Sequence, residues 1–200
     1  VQINAAIDFL SNNYGGGEVR LARGTYTTSS PIILKSNIAL SGEGAGTIIS
    51  REGTFIPITA TGGSGTELTN IIVRGLSIVR TATGTPTAAI RFEYTDDSAI
   101  ENVKITGDDL TGIQLSYCDR GNATGCTFAL KSASAFDSGG NSLDWNITNC
   151  SIVNARPGLG GGTCITNTNG VVSGNTIWTQ ADTAITSSCG TVANNVITAV

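Results

Sequence analysis

A six-residue phrase returns along this chain and limits the folds that the chain can adopt. It consists of an apolar residue, any residue, Gly or Asn, a small or apolar residue, any residue and a final apolar residue. Its third position is filled by Gly42, Gly75, Asn102, Gly125, Asn149, Gly174 and Asn194. Gly and Asn enter the left-handed backbone region at the lowest cost. The column therefore predicts a bend with positive φ in each repeat, between two short strands with alternating inward and outward side chains.

A second phrase accompanies the first and adds a strand to each repeat. It has a small, an apolar and a polar residue, as in Ala89-Ile90-Arg91 and Gly112-Ile113-Gln114. The bends are 20 to 33 residues apart, a spacing typical of stacked structural repeats. Three short strands per repeat predict an all-β parallel β-helix of about seven coils, in which inward side chains form columns with a rise of about 4.8 Å per coil.

The two ends of the chain are predicted to differ. Residues 1–14 form an amphipathic helix, because Ile3, Ile7, Leu10 and Tyr14 share one face, and this helix caps the coils of residues 18–200 in a single domain. The last phrase ends at Ile197 without a closing segment. We therefore expect a fragment of a longer protein, whose open end is covered by further chain or by another subunit, as in a homotrimer.

Composition and charge exclude several classes of partner and of site. The net charge of −4 argues against nucleic acid as a partner, and no apolar run is long enough to insert into a membrane. The chain has no His, which argues against zinc and against His-dependent catalysis. Of its five Cys, Cys126 and Cys150 share an inward column. We interpret them as buried thiols, with a disulfide as the alternative.

The first quarter of the chain carries a resemblance to a known family. The segments INAAIDFL, GGGEVRLARGTY and PIILKSNIALSGEGAGTII resemble the entry segment of the pectate-lyase-like right-handed parallel β-helix superfamily. They are most similar to its branch of phage tailspikes and bacterial surface proteins. The resemblance implies a right-handed helix, a polysaccharide or cell-surface glycan as partner, and an extracellular, cell-surface or virion location. It does not by itself imply catalysis.

The outward residues of the second phrase and the turns beside it form the candidate glycan-binding face. The outward residues are Arg91, Glu93, Gln114, Ser116, Asp137, Thr166 and Thr186. The turns add Asp96, Asp97, Asp119 and Arg120 on one side and Asp108 and Asp109 on the other. The predicted substrate-binding residues are Arg91, Glu93, Gln114, Asp96, Asp97 and Asp119. The candidates for catalysis are Arg91, Asp137 and Arg120.

The acidic residues of one turn have two interpretations. Lyases of the resembled superfamily bind acidic sugars through Ca²⁺ and use an Arg or Lys as base. If the protein is a lyase, the resemblance makes Asp96, Asp97 and Asp119 candidate Ca²⁺ ligands, with Arg91 or Arg120 as the cationic partner. Otherwise no cofactor is expected. The alternative is solvated turn chemistry, with Asp119 and Arg120 as a surface charge pair.

Tyr94 and Tyr117 hold matching positions in two successive repeats. Counting with period two makes them inward core residues, and the alternative is an exposed aromatic platform. Gly107-Asp-Asp resembles part of the polygalacturonase motif, although the His and the Asn-Thr-Asp segment of that family are missing. The favoured function is therefore a non-catalytic extracellular or virion module that supports or performs glycan recognition. The alternative is a lyase or glycoside hydrolase that acts on an acidic polysaccharide.

Overall fold

A computed structural model describes residues 2–80, 88–107, 111–130, 134–139, 141–154, 163–180, 183–188 and 190–199. Within these residues the chain forms one helix, α1 (Gln2–Tyr14), and 25 strands. All pairings between these strands are parallel, and within the three long sheets each inner strand pairs with the equivalent strands of the coils below and above it. This is the predicted parallel β-helix of about seven coils with an N-terminal capping helix.

Three sheets run the length of the solenoid. Sheet A contains β1 (Gly17–Leu21), β4 (Ile38–Gly42), β8 (Ile72–Arg74), β12 (Ala99–Glu101), β15 (Asn122–Thr124), β18 (Asn146–Thr148), β21 (Val171–Ser173) and β24 (Thr191–Ala193). Sheet B contains β2 (Gly24–Thr28), β5 (Thr47–Arg51), β9 (Ser77–Arg80), β13 (Lys104–Gly107), β16 (Thr127–Leu130), β19 (Ser151–Asn154), β22 (Thr176–Thr179) and β25 (Val196–Ala199).

Sheet C is built by the second phrase. It contains β3 (Ile32–Ile33), β6 (Ile58–Thr61), β10 (Ala88–Glu93), β14 (Thr111–Ser116), β17 (Phe136–Asp137), β20 (Thr163–Thr168) and β23 (Thr183–Ser188). A short pair, β7 (Leu68–Thr69) and β11 (Thr95–Asp96), lies at the corner that leads from sheet C to sheet A.

The core consists of side-chain columns that follow the strand register. One column on sheet B is formed by Ile49, Ile78, Ile105, Phe128, Ile152 and Ile177, all of them buried. At the N-terminal end, Ile7 of α1 is fully buried against the first coil. The Asn4 amide donates to the Pro31 carbonyl at 2.9 Å, and its oxygen accepts from the Ile33 amide at 2.9 Å. The helix therefore covers the core and also binds the edge of the first strand of sheet C.

The bend between sheets A and B has positive φ at six of the seven predicted positions. Gly75, Asn102, Gly125, Asn149, Gly174 and Asn194 have φ between 52° and 67°. The prediction was wrong for Gly42, because the second coil turns later, at Gly44 with φ 90°. In that longer turn the Glu43 amide donates to the Thr47 hydroxyl at 2.9 Å. Gly42 is needed for space instead, since a Cβ there would lie 2.6 Å from the Gly75 carbonyl oxygen.

The column that follows the bend changes character along the axis. Cys126 and Cys150 lie in it, followed by Asn175 and Asn195. The Asn175 oxygen accepts from the Cys150 amide at 2.8 Å, and the Asn195 oxygen accepts from the Asn175 amide at 3.0 Å. Both thiols are free and buried, as interpreted from the sequence, and the hydrogen bond between them together with burial raises the pKa of Cys126.

Candidate functional site

The residues of the predicted glycan-binding face lie on sheet C. Arg91, Gln114, Asp137, Thr166 and Thr186 occupy successive rungs of one outward column. Glu93 and Ser116 form two rungs of the neighbouring outward column. Register therefore aligns these polar side chains along the axis, as a bound linear polymer would require.

Two tyrosines lie side by side at the corner that follows sheet C along the chain. Tyr94 and Tyr117 lie on successive coils, with ring centroids 4.7 Å apart and an interplanar angle of 3°. Tyr117 is 43% exposed, so the prediction that the pair is inward core was wrong. The reason is backbone conformation, because both residues have positive φ, 51° and 55°. The alternation of inward and outward side chains is interrupted at a residue with a left-handed backbone. The inward position is therefore occupied by the next residue, Thr95, which is buried.

Two of the predicted carboxylates meet on adjacent rungs next to the tyrosines. Asp96 and Asp119 pair in parallel, and the Asp96 carboxylate accepts from the Asp119 amide at 3.2 Å. The Asp119 carboxylate accepts from the Leu143 amide of the next coil at 3.1 Å. Each acidic side chain thus holds the backbone of the coil above it in register.

Arg120 holds the acidic residues of the coil below it. Its guanidinium donates to Asp97 at 2.9 and 3.0 Å and to Asp96 at 3.1 Å. The side-chain hydrogen bond and the charge of Arg120 keep the pKa of Asp97 below its ordinary value. The expected pair of Asp119 with Arg120 is replaced by this contact across coils, because Arg120 also has a left-handed backbone, with φ 54°.

These residues border a groove of about 240 Å³. Its lining is Ser64, Glu67, Tyr94, Asp96, Tyr117, Asp119 and Asn141. Glu67 accepts from the Gly65 amide at 2.8 Å, and backbone hydrogen bonds lower its pKa. The groove is therefore a shallow polar surface with one aromatic wall and three carboxylate side chains.

Ser64, Glu67 and Asn141 are members of the groove that the sequence analysis missed. Asn141 continues the tyrosine column one coil further, with φ 60°. Its place could have been found by extending the repeat spacing from Tyr94 and Tyr117. Glu67 lies in a Gly-rich turn, and only the pairing of β7 with β11 brings it to the groove.

The proposed Ca²⁺ ligands do not fit a cation in this arrangement. Asp96 and Asp97 already bind Arg120, and Asp96 and Asp119 accept backbone hydrogen bonds. In the part of the chain that the structure describes, no three Asp, Glu, His or Cys side chains come together in a way that could hold a metal ion. Ca²⁺ needs six to eight oxygen ligands, so we derive no chemistry through it.

The remaining candidates stand on the sheet C face. Arg91 is paired with Glu93 at 3.0 Å, so its charge is neutralised locally. Asp137 is half-buried between Gln114 and Thr166, and burial raises the pKa of its carboxyl, opposed by the Gly139 amide. Asp108 and Asp109, and with them most of the Gly-Asp-Asp segment, lie outside the described residues.

Comparison with known proteins identifies the family. The family description "Right handed beta helix region" matches residues 88–200, more than half of the chain. The chain belongs to the right-handed β-helix family. The coils of this β-helix protein therefore wind in the right-handed sense that the resemblance implied. A comparison with curated protein sequences finds no match.

Several solved structures share the fold of this β-helix protein at low sequence identity. The tailspike protein of E. coli bacteriophage HK620, solved as a mutant with a pentasaccharide, is 17% identical, with a TM-score of 0.75. That match covers 98% of this chain and 41% of the tailspike.

Two further structures have other roles. PfbA, a surface adhesin of Streptococcus pneumoniae, is 14% identical over 98% of this chain and 68% of its own, with a TM-score of 0.67. A pectin methylesterase from Yersinia enterocolitica is 13% identical over 95% of this chain and 89% of its own, with a TM-score of 0.61. Within the described residues of the present chain, no helix has the length and apolar character that a membrane crossing requires.

Proposed function

We propose that this β-helix protein is a glycan-recognition module of a virion or cell surface, and that it binds its glycan in the groove beside Tyr94 and Tyr117. The observation that carries the proposal is the outward tyrosine stack. The two rings are parallel and stacked, and they form a flat wall next to the carboxylate side chains of the groove. Such a wall offers an apolar surface to the C–H face of a sugar, and the carboxylates accept hydrogen bonds from its hydroxyls.

Backbone strain supports the same site. A left-handed backbone costs a residue other than Gly, Asn or Asp about 1–2 kcal/mol, and both tyrosines adopt it. Strained residues of this kind concentrate at binding sites, where the surrounding structure holds them in place. The third member of the column is Asn141, which adopts the same backbone at lower cost. Tyrosine is therefore not needed for the turn itself.

The structural relatives support the class of partner and the location. A tailspike holds a pentasaccharide, and a second relative is a surface adhesin. The groove lies at the edge of the polar sheet C face, so a linear glycan bound there can continue along Glu93, Ser116 and Gln114. This path is bordered by Arg91, Asp96 and Asp119. Asp97 lies at the rim of the groove, where it accepts from Arg120.

The test replaces Tyr117 with Asn, the residue that the next coil uses at this position. Binding of the purified protein to a glycan array and to its best ligand by calorimetry is compared with that of the wild type. We expect Tyr117→Asn to weaken binding about tenfold, corresponding to the loss of about 1.4 kcal/mol of stacking. Its thermal unfolding should stay unchanged or move upward, because strain is relieved.

The matched control is Trp178→Ala, which removes another exposed aromatic side chain, 55% exposed, from the outer face of sheet B. It should leave glycan binding intact. Failure of the wild type to retain any glycan, or equal binding by Tyr117→Asn, would show that the groove is not a glycan site.

Asp137 favours a second candidate function, glycoside hydrolysis. A half-buried carboxyl with a raised pKa is suited to act as general acid, and Asp137 stands on the sheet C face where the glycan would continue. Release of reducing ends from the bound glycan, abolished in Asp137→Asn with binding retained, would support hydrolysis. Binding without any release would leave recognition as the function.

A further inference from the structure

The charge of the groove restricts the glycans that it can accept. Three of its lining side chains are carboxylates, Glu67, Asp96 and Asp119, and its lining contains no Lys or Arg. An ionised carboxylate accepts hydrogen bonds and cannot donate them. A ligand in the groove must therefore supply donors, as sugar hydroxyls do, and an acidic group on the ligand would find like charge on several sides.

The two nearby arginines do not reverse this balance. Arg120 stands at the rim and is bound by Asp97 as well as by Asp96. Arg91 stands on the sheet C face and is bound by Glu93. Each cation thus has at least one carboxylate within 3.1 Å, so neither is left as a free partner for an acidic sugar.

The backbone contacts keep the carboxylates in place. One oxygen of Asp119 accepts from the Leu143 amide, and one oxygen of Glu67 accepts from the Gly65 amide. The same β-bridges that define the coils hold Asp96 and Asp119 one rung apart. Asp96 and Asp119 are therefore preorganised, and they cannot turn away from a negative ligand without losing their hydrogen bonds to the backbone of the next coil.

We propose that the groove selects neutral glycans and rejects uronate-containing ones. This inference rests on the proposed function, since it specifies the substrate class of the same site. It differs from the expectation of an acidic polysaccharide that the resemblance to pectate lyases suggested. The hydroxyl groups of a neutral sugar bind the carboxylates while its apolar face lies against Tyr94 and Tyr117.

The test uses pairs of polysaccharides in which one member carries a carboxylate and the other a neutral hydroxymethyl group at the same carbon. Polygalacturonate and hyaluronan are each compared with their carboxyl-reduced counterparts, beside neutral ligands found on the glycan array. At an ionic strength of about 10 mM, where screening is weak, we expect the neutral member of a pair to bind at least about tenfold more tightly. At about 1 M salt the difference should shrink, because the Debye length falls to about 3 Å.

Two variants connect this preference to the groove. Asp119→Asn retains the oxygen that accepts from the Leu143 amide and removes one charge, so it should reduce the ratio of neutral to acidic affinity several-fold. Asp8→Asn removes one charge from the exposed face of α1 and should leave the ratio unchanged. Thermal unfolding of both variants verifies that the fold is intact.

The outcomes separate the two proposals. Tighter binding of the acidic member, or a ratio that Asp119→Asn does not alter, overturns the neutral preference while glycan recognition at the groove stands. Absence of binding to every glycan of either charge overturns both.

Discussion

At the scale of single residues, the bends depend on side chains that tolerate a left-handed backbone without meeting the coil below. Gly174 has φ 67°, and a Cβ there would lie 2.6 Å from the side-chain oxygen of Asn149. The two bend residues are stacked so closely that Gly in one coil makes room for the Asn side chain of the coil below. The same relation joins Gly125 to Asn102, at 2.5 Å.

We predict that Gly174→Ala lowers the free energy of unfolding by about 1–2 kcal/mol, because the methyl group is strained at positive φ and must displace Asn149. Gly46→Ala is the control. Gly46 lies in an exposed turn without positive φ, and its Cβ would approach Arg23 only to 3.7 Å. Denaturant unfolding of both variants measures the difference, and equal stability of the two would contradict this account of the bend.

The contact of Arg120 with Asp97 has a defined pH dependence. The folded-state pKa of Asp97 lies below the ordinary value of 3.8, so its stabilising contribution is present above that pH. It is lost as the pH falls through the lower folded-state value. We predict that Arg120→Gln lowers Tm at pH 7 and that the difference from the wild type disappears in strong acid.

The comparison is made by thermal unfolding at low ionic strength. Arg20→Gln removes a longer contact, 3.6 Å to Glu43, and should change Tm less. A difference for Arg120→Gln that persisted after Asp97 was protonated would show that the contact acts by packing instead of charge.

The same residues show where a sequence pattern stops being informative. The bend between sheets A and B uses only Gly and Asn, so it could be predicted. The corner between sheets C and A also has a left-handed column, with φ of 50° to 60° at Asn37, Asn70, Asp97, Arg120, Asp144 and Asn169. This column cannot be recognised in the sequence, because it contains Arg as well as Asn and Asp. The prediction for Tyr94 and Tyr117 was wrong because a tyrosine in the sequence does not indicate positive φ.

At the scale of elements, helix α1 caps the solenoid in two ways. It covers the apolar core, and the side chain of Asn4 forms hydrogen bonds with the edge of the first coil. Asn4 both donates to and accepts from the strand segment around β3, as a neighbouring strand would. The helix could be predicted from the periodicity of its apolar residues. The role of Asn4 could not, since it depends on where the first coil returns beneath the helix.

We predict that Asn4→Ala lowers the free energy of unfolding by about 1–3 kcal/mol, because the Pro31 carbonyl and the Ile33 amide lose their partner. It should also increase hydrogen exchange at the Ile33 amide. Asn12→Ala, at an exposed position on the same helix, is the control. Unchanged exchange at Ile33 would mean that water replaces Asn4 without cost.

At the scale of the whole molecule, stability is shared between neighbouring coils. An inner strand of each sheet contacts the equivalent strands of the coils below and above it. The protection of its amides from hydrogen exchange therefore depends on both neighbours. Among the strands that the structure describes, β24 and β25 have a neighbouring strand on one side only, and Val192, Val196 and Ile197 are 48–61% exposed. In the middle of the solenoid, Ile100 and Ile105 are fully buried.

For a protein of residues 1–200, we predict a gradient of amide hydrogen exchange along the axis, slow in β12 and β13 and fast in β24 and β25. Exchange followed by mass spectrometry on peptides from each coil measures it. Uniform protection from the central to the final coil would show that the solenoid opens as one cooperative unit.

The asparagines at positions 175 and 195 have a consequence for how the chain finds its winding. Strands of neighbouring coils are alike, so a nascent molecule could pair them two residues out of register and still bury aliphatic groups. Such a slip would move the Asn175 carboxamide away from the Cys150 amide and the Ile147 carbonyl, which it binds at 2.8 and 3.0 Å, at a penalty of about 1–3 kcal/mol. The two carboxamides thus make one strand register more favourable than the others.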